Sequence, residues 1–433
     1  MSITNHHNQT LRVLAIFSIG LLVLSGCKRS SLDVSNPRVL PGLSQPVRVS
    51  SGDANAAEPA IAAAPDGSVY VAWVSHGPKS QADVMIARFS GDGKMQDRPV
   101  RVNSQPGIAT AWRGDPPTVA IAPDNTVFVG WTARVESESG HATDIYLSLS
   151  KDHGQTFGPP VKVNDDSKPA VHGMHSLTVA KDGRIYVAWL DERNVTPSPP
   201  MKDMKMEAAG HHMESNREVF VAASTDGGRS FRKNQRVATN VCPCCKTALA
   251  TASDGRLYLS WRQVLPGDFR HIAVASSPDQ GKTFTEPKIV SDDQWVLAGC
   301  PVSGATLFAA EDDSVRVLWY SEGKNGQTGL YSSRTTDNGG TFGPRQLIAA
   351  GGVRGTPVLI SGRDGLEAIW QGGENNARTV QIAPHIGDAT TPNSFVVVTN
   401  AELPAATANS NRLFVAYIAK GVAGQDVWLV TSG

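Results

Sequence analysis

Apolar and polar residues alternate in short runs along most of the chain, and the runs return in a fixed order. Seven times a turn-forming Asp or Asn leads into an alternating apolar stretch that ends on an aromatic ring. The stretches are 66–73, 124–131, 182–189, 254–261, 313–319 and 364–370, each ending on Trp, and 411–417, ending on Tyr417. Strict alternation after a turn predicts a half-buried strand, and its recurrence predicts a repeat architecture. Each unit reads as four strands: an inner one such as 117–122, the aromatic-ended one, a third, and an outer one such as 160–163. Four-stranded units set around an axis predict an all-β propeller, with seven blades counted and six as the alternative.

The outer strands fall at 98–103, 159–164, 233–238, 286–291, 343–349 and 394–399, and the seventh unit ends at Gly433 without one. A spare copy, Gln-Pro-Val-Arg-Val-Ser at 45–50, stands before the first unit. It is expected to supply the missing strand and close the ring, which removes an exposed sheet edge.

A second motif follows the third strand of several units. It reads Ser-x-Asp-x-Gly-x-x-Phe at Ser150, Asp152, Gly154 and Phe157, and again at Ser224, Asp226, Gly228 and Phe231. Further copies run from Ser277 to Phe284 and from Thr335 to Phe342, with a worn one at Ser90 and Asp92. Ser and Asp side chains accept from turn N–H groups, Gly takes a positive φ, and the Phe folds under the turn. The motif resembles the Asp-box (BNR) repeat of the sialidase-like β-propellers. The resemblance spans nearly the whole chain after its first 43 residues. It implies that Asp152, Asp226, Asp279 and Asp337 are structural.

The chain has 433 residues, 41 Gly and 27 Pro, 18% charged residues and a formal net charge of zero, a composition suited to a turn-rich β protein. Zero net charge gives no basic footprint for nucleic acid. At the N-terminus Arg12 precedes an apolar run, 13–24, and then Leu-Ser-Gly-Cys. Twelve apolar residues are too few to span a bilayer, and the layout is that of a signal peptide. Its ending resembles a bacterial lipobox, which implies cleavage after residue 26 and a lipid on Cys27. Lys28 next to it implies sorting to the outer membrane. The expected organisation is signal peptide 1–26, tether 27–43 and propeller 44–433, with the membrane as a partner through the lipid.

Strand direction assigns the loops to two faces. Asp-box turns share one face; the loop after each aromatic-ended strand and the link to the next blade share the other. In sialidases that other face carries the active site. Its loops here hold His172, Met174 and His175; then Met201, Met204, Met206, His211, His212 and Met213; then Cys242, Cys244 and Cys245; then Cys300. Five of the seven methionines after Met1 lie between 174 and 213. The long insertion around them is polar and has no core to fill. Cysteines of an exported protein also form disulfides, and Cys242 with Cys245 or Cys245 with Cys300 are reasonable pairs. Thioether, thiolate and imidazole together point to a soft metal, copper, with zinc as the alternative if Met has no part.

The family resemblance carries a rival, glycoside hydrolysis. An exo-sialidase needs three arginines on the sugar carboxylate, a Tyr nucleophile paired with Glu, and an acid/base Asp. The Arg-Ile-Pro motif that supplies the first arginine is absent. Residues on the functional-face loops that could serve are Arg113, Arg193, Arg262, Arg354, Asp115, Asp191, Tyr320 and Glu322, with a glycan as substrate. A non-catalytic scaffold for an envelope protein is the remaining reading, because a fold does not fix a function.

Overall fold

The computed structural model describes residues 38–51, 55–110, 114–137, 140–195, 216–297, 299, 301–363, 365–373, 377–387, 392–409, 412–421 and 424–433. Its strands form five separate four-stranded antiparallel sheets and one of eight strands. The eight-stranded sheet divides into two sets of four joined by one pair, Val241 opposite Gln263. The inner strands are Asn55–Ala63, Thr118–Ile121, His172–Val179, Ala248–Thr251, Thr306–Ala309, Arg354–Gly362 and Glu402–Asn409. Each contacts the next, and the last contacts the first, so the sets stand in a closed ring around a central axis. This is a β-propeller, and blades are numbered below by their inner strand.

Each aromatic-ended strand packs its ring into the space between neighbouring sheets. Trp131, Trp189, Trp261, Trp319 and Trp370 are fully buried. Burying an indole is worth several kcal/mol only if its N–H finds an acceptor. Those of Trp131, Trp189 and Trp261 bond Ser148 Oγ, Asp191 Oδ2 and Gln263 Oε1 at 3.0, 2.7 and 2.7 Å. The core is correspondingly divided, each cluster drawing on two adjacent blades. Tyr70, Ala72 and Val74 of blade one, for example, pack against Val127, Val129 and Trp131 of blade two.

The ring closes with the N-terminal segment. Strand Val47–Arg48 pairs antiparallel with Gln425–Thr431, Val47 opposite Leu429 and Arg48 opposite Trp428. Beyond the ladder, Ser50 Oγ donates to Asp426 Oδ1 at 2.9 Å and accepts from Val427 N at 3.1 Å. Outer strands are shorter than the alternation suggests: Val47–Arg48, Val100–Arg101, Val161–Lys162 and Lys288–Ile289 have two residues each. Short edges offer little template to another sheet.

The Asp boxes form as their chemistry requires. In the second blade Gly154 N donates to Ser150 Oγ at 2.9 Å, Ser150 Oγ donates to Asp152 Oδ1 at 2.6 Å, and Thr156 N donates to the same carboxylate at 2.9 Å. Asp226, Asp279 and Asp337 are held alike, with Gly228, Gly281 and Gly339 at φ +82, +80 and +87. These donors hold the carboxyls of Asp152, Asp226, Asp279 and Asp337 near 2, so each stays ionised and fixed in its turn. All are spent on the turn itself.

Candidate functional site

The mouth opposite the Asp boxes is shaped by how the inner strands enter the ring. In blades one, three and seven the register shifts just before Ala60, Ser176 and Ala405. The bulge places Glu58, Met174 and Leu403 in the left-handed region, at φ 52, 53 and 48. Val302, on the approach to blade five, has φ 46, a conformation that a β-branched side chain adopts only under constraint. All four line one cavity of about 390 Å³ on the ring axis.

The cavity walls are largely apolar, with Ile61, Pro116, Pro117, Leu249, Leu307 and Pro404 among them. Three charged side chains interrupt them: Glu58, Lys246 and Arg354. Glu58 is 2% exposed; its Oε2 lies 2.7 Å from His76 Nε2, and its Oε1 has no hydrogen-bond partner. Lys246 makes no ion pair within 4.0 Å with any described carboxylate; burial pulls its ammonium down to about 8 against the attraction of Asp115. Gly304 packs on the Lys246 backbone so closely that a β-carbon there would lie 2.3 Å from its carbonyl oxygen. The lysine is thereby fixed at the wall.

Beside the cavity lies the cysteine link. Cys242 N donates to Arg262 O at 2.9 Å, extending the single pair that joins the third and fourth blades. Cys242 and Cys245 are free thiols, both fully buried, with sulfurs 3.4 Å apart. Cys244 is in a disulfide, and its partner lies outside the described residues. The expected pair Cys242–Cys245 is thus adjacent but reduced, and Cys244 rather than Cys245 is oxidised. A bridge from Cys245 to Cys300 is accordingly not formed, because Cys245 turns into the core toward Cys242. The three sulfurs lie within 4.8 Å of one another, and Met174 packs in the same cluster. Hydrogen bonding from Cys245 draws the Cys242 thiol down, with the nearby Arg262 charge assisting; burial and that same pairing push Cys245 up.

The histidines do not join this cluster. His172 faces two carboxylates, its Nε2 lying 3.3 Å from Asp166 Oδ1 and 3.4 Å from Asp191 Oδ2, while Nδ1 bonds the Thr143 carbonyl. Burial pulls its pKa down, but Asp166 and Asp191 outweigh it and the net shift is upward. His175 is fully buried, with Nδ1 3.6 Å from Asp115 Oδ1. Burial alone would raise the Asp115 carboxyl; His175, Lys246 and the Met174 N–H, 3.0 Å from Oδ1, bring it below the ordinary value.

Of the residues suited to glycoside chemistry, most are engaged elsewhere. Arg262 is fully buried and donates to the carbonyls of Ser303, Arg270 and Tyr320 at 2.9–3.2 Å. Arg193 is bonded to Asp191 and Asp165 and lies over the Phe220 ring. Arg354 is exposed at the cavity. Tyr320 Oη donates to Glu322 Oε1 at 2.5 Å, and burial first, then that carboxylate, raises its pKa. Arg113, Met201, Met204, Met206, His211, His212, Met213, Cys300 and Cys27 lie outside the described residues.

Sequence reasoning missed Glu58 and Lys246. A signal was present: aligned on the residue that precedes each aromatic, Glu58, Met174, Lys246 and Leu403 occupy one equivalent position, two before the strand residue paired with it.

A closed ring of four-stranded sheets, Asp-box turns at one mouth and a part-charged cavity at the other define a BNR-type β-propeller. A family model described as "BNR repeat-like domain" matches residues 67–369. The chain belongs to that family. No curated protein matches it. Among solved structures, a protein of unknown function from Dyadobacter fermentans has a TM-score of 0.52 at 15% identity, over 91% of this chain and all of that one. The Hadza microbial sialidase Hz136 has a TM-score of 0.48 at 15% identity, over 84% of this chain and 76% of its own. The Trypanosoma rangeli sialidase bound to the inhibitor DANA gives 0.49 at 11%, over 91% and 60%.

Proposed function

We propose that this sialidase-like propeller is a lipid-anchored protein of the bacterial envelope that binds a soft metal ion, copper(I), through Cys242 and Cys245. The observation that carries the reading is the thiol pair itself: two free sulfurs 3.4 Å apart, dry, and next to a buried arginine. Arg262 makes no ion pair with an acidic side chain among the described residues. A buried cation without a counter-ion is costly, so a thiolate beside it is favoured. Thiolates prefer cuprous copper over harder ions, and the Met174 thioether packed in the same cluster adds a neutral soft donor. Cysteine must lose its proton to solvent on binding, so affinity rises with pH. The Met and His insertion at 201–213 would deliver the ion, and the lipid on Cys27 would hold the chain at the outer membrane.

The test is a copper(I) titration of reduced protein against a chromophoric chelator. Wild type is expected to hold one tightly bound ion per chain. The double variant Cys242→Ser/Cys245→Ser loses it, and deletion of 201–213 slows uptake while leaving the final content unchanged. Equal content and equal rates in all three proteins would refute the proposal.

The second reading, glycoside hydrolysis, is favoured by the short Tyr320–Glu322 hydrogen bond, which suits a phenol giving its proton to a carboxylate. Against it, Arg193 and Arg262 are committed to protein acceptors and Arg354 alone of the described candidates reaches the cavity. Weak or absent sialidase activity is the expectation.

A further inference from the structure

Neither metal binding nor hydrolysis engages Glu58 or Lys246 of the central cavity. Its two charges of opposite sign, the buried Glu58 and the half-buried Lys246, stand on blades one and four, which lie across the ring from one another. At blade one, Glu58 is held by His76 through one oxygen and offers the other, Oε1, with no partner. At blade four, Lys246 meets the cavity without an ion pair among the described residues, and Arg354 of blade six adds a second positive group at the exposed rim. Between them the wall is largely apolar, with prolines and a few threonine and serine side chains.

Backbone strain marks the same place. A non-glycine residue in the left-handed region is strained and persists only where its surroundings over-determine it. Glu58, Met174, Val302 and Leu403 all adopt that conformation, and all four line this cavity. Pro59 and Pro404 follow two of these kinks. The kinks break the inner ladders at the mouth and bring Glu58, Met174 and Leu403 to the channel wall at one equivalent position. The Glu58 oxygen that His76 does not reach, Oε1, loses its hydration in such a wall with no hydrogen bond in return, and a ligand cation would restore the balance.

We propose that the cavity binds a small zwitterion, with an ammonium group on Glu58, a carboxylate on Lys246 and an aliphatic span across the channel. Its volume of about 390 Å³ lies in the range of small-molecule sites, and few polar groups in an apolar wall are what such sites use to orient a ligand. Amino-acid and dipeptide-like compounds belong to this class. The proposal does not depend on the thiol pair, and it holds for metal-free protein.

The experiment is calorimetry on metal-free, full-length protein with three probes: 6-aminohexanoate, hexanoate and hexylamine. The zwitterion is expected to bind about tenfold or more tightly than either singly charged analogue, since each charged hydrogen bond adds about that factor. Glu58→Gln should remove the advantage over hexanoate, and Lys246→Met the advantage over hexylamine. Equal affinities for the three probes, or no binding of the zwitterion at millimolar concentration, would overturn the proposal on wild type alone, whatever the variants do. A preference that survives unchanged in both folded variants would overturn the assignment to this cavity.

Discussion

Gly228 of the third blade sits directly on the Phe128 ring of the second, so close that a β-carbon there would stand 3.2 Å from Cε1. The relationship repeats around part of the ring: Gly154 meets Tyr70, Gly281 meets Tyr186 and Gly339 meets Tyr258, each Asp box resting on the aromatic of the blade before it. The motif is therefore a seam between sheets as well as a turn within one.

Gly227 and Gly228 separate these two roles. Both have positive φ, 73 and 82, but a β-carbon at Gly227 meets nothing within 4 Å, while one at Gly228 meets Leu147, Phe128 and Ile185 at 3.1–3.3 Å. Gly227→Ala should cost about 1 kcal/mol, from conformation alone. Gly228→Ala adds overpacking between blades and should cost about 3 kcal/mol. Urea unfolding of the two variants measures the difference; equal losses would mean that the seam contributes nothing.

Ring closure rests on few groups, and Ser50 is the one that can be removed cleanly. Its hydroxyl joins Asp426 to the Val427 amide, both buried. Ser50→Ala should cost about 2 kcal/mol, because Asp426 keeps its burial and loses a donor. Deleting 45–50 should go further and leave Gln425–Thr431 as an open edge, seen as oligomers by light scattering. A monomeric truncation with an unchanged melting temperature would contradict this.

Stability should depend on pH through His172. Its folded pKa is raised by Asp166 and Asp191, so the imidazolium form is favoured in the fold. The stabilisation is complete below the ordinary histidine value, about 6.5, and is lost as pH rises through the raised folded value. The stability gap between wild type and His172→Gln should therefore narrow from pH 6 to pH 9. The Asp boxes act at the opposite end: with folded values near 2, their contribution is present above about pH 4 and is lost as pH falls toward 2. A gap that widens toward pH 9 would show that His172 is neutral in the fold.

A fluorogenic sialoside should be hydrolysed barely above background. The Tyr320–Glu322 pair is in place, but the guanidinium of Arg262 is buried, gives its hydrogen bonds to protein carbonyls and lines no part of the cavity, so it does not meet a sugar carboxylate there. Hydrolysis that is robust in wild type and abolished by Tyr320→Phe would reverse the ranking of the two readings. For the lipid anchor proposed on Cys27, Cys27→Ala should leave an unprocessed precursor or a soluble product, read by membrane fractionation.

The repeat was legible because each Trp-ended strand, from Val69–His76 onward, alternates with period two and follows a turn residue. The Asp boxes were legible because their acceptors and donors sit within five residues of one another. Glu58 was not, because a bulge breaks the period just where it stands, and Lys246 was not, because it precedes the first paired residue of its strand, Ala248. His172 read as a soft ligand on spacing alone; Asp166 and Asp191, which claim it, come from the preceding link and the neighbouring strand. The cysteines were visible, but their division into a thiol pair and a disulfide depends on which sulfur turns inward.

Arg262 gives the thiol pair an influence on the whole ring. Its guanidinium ties the fourth blade to the carbonyls of Ser303 and Tyr320 in the fifth while its charge faces Cys242. Removing a proton from that pair supplies a negative charge inside the wall; oxidising it to a disulfide forbids one. The propeller's melting temperature should therefore shift with the oxidation state of that pair, readable without any assay of activity.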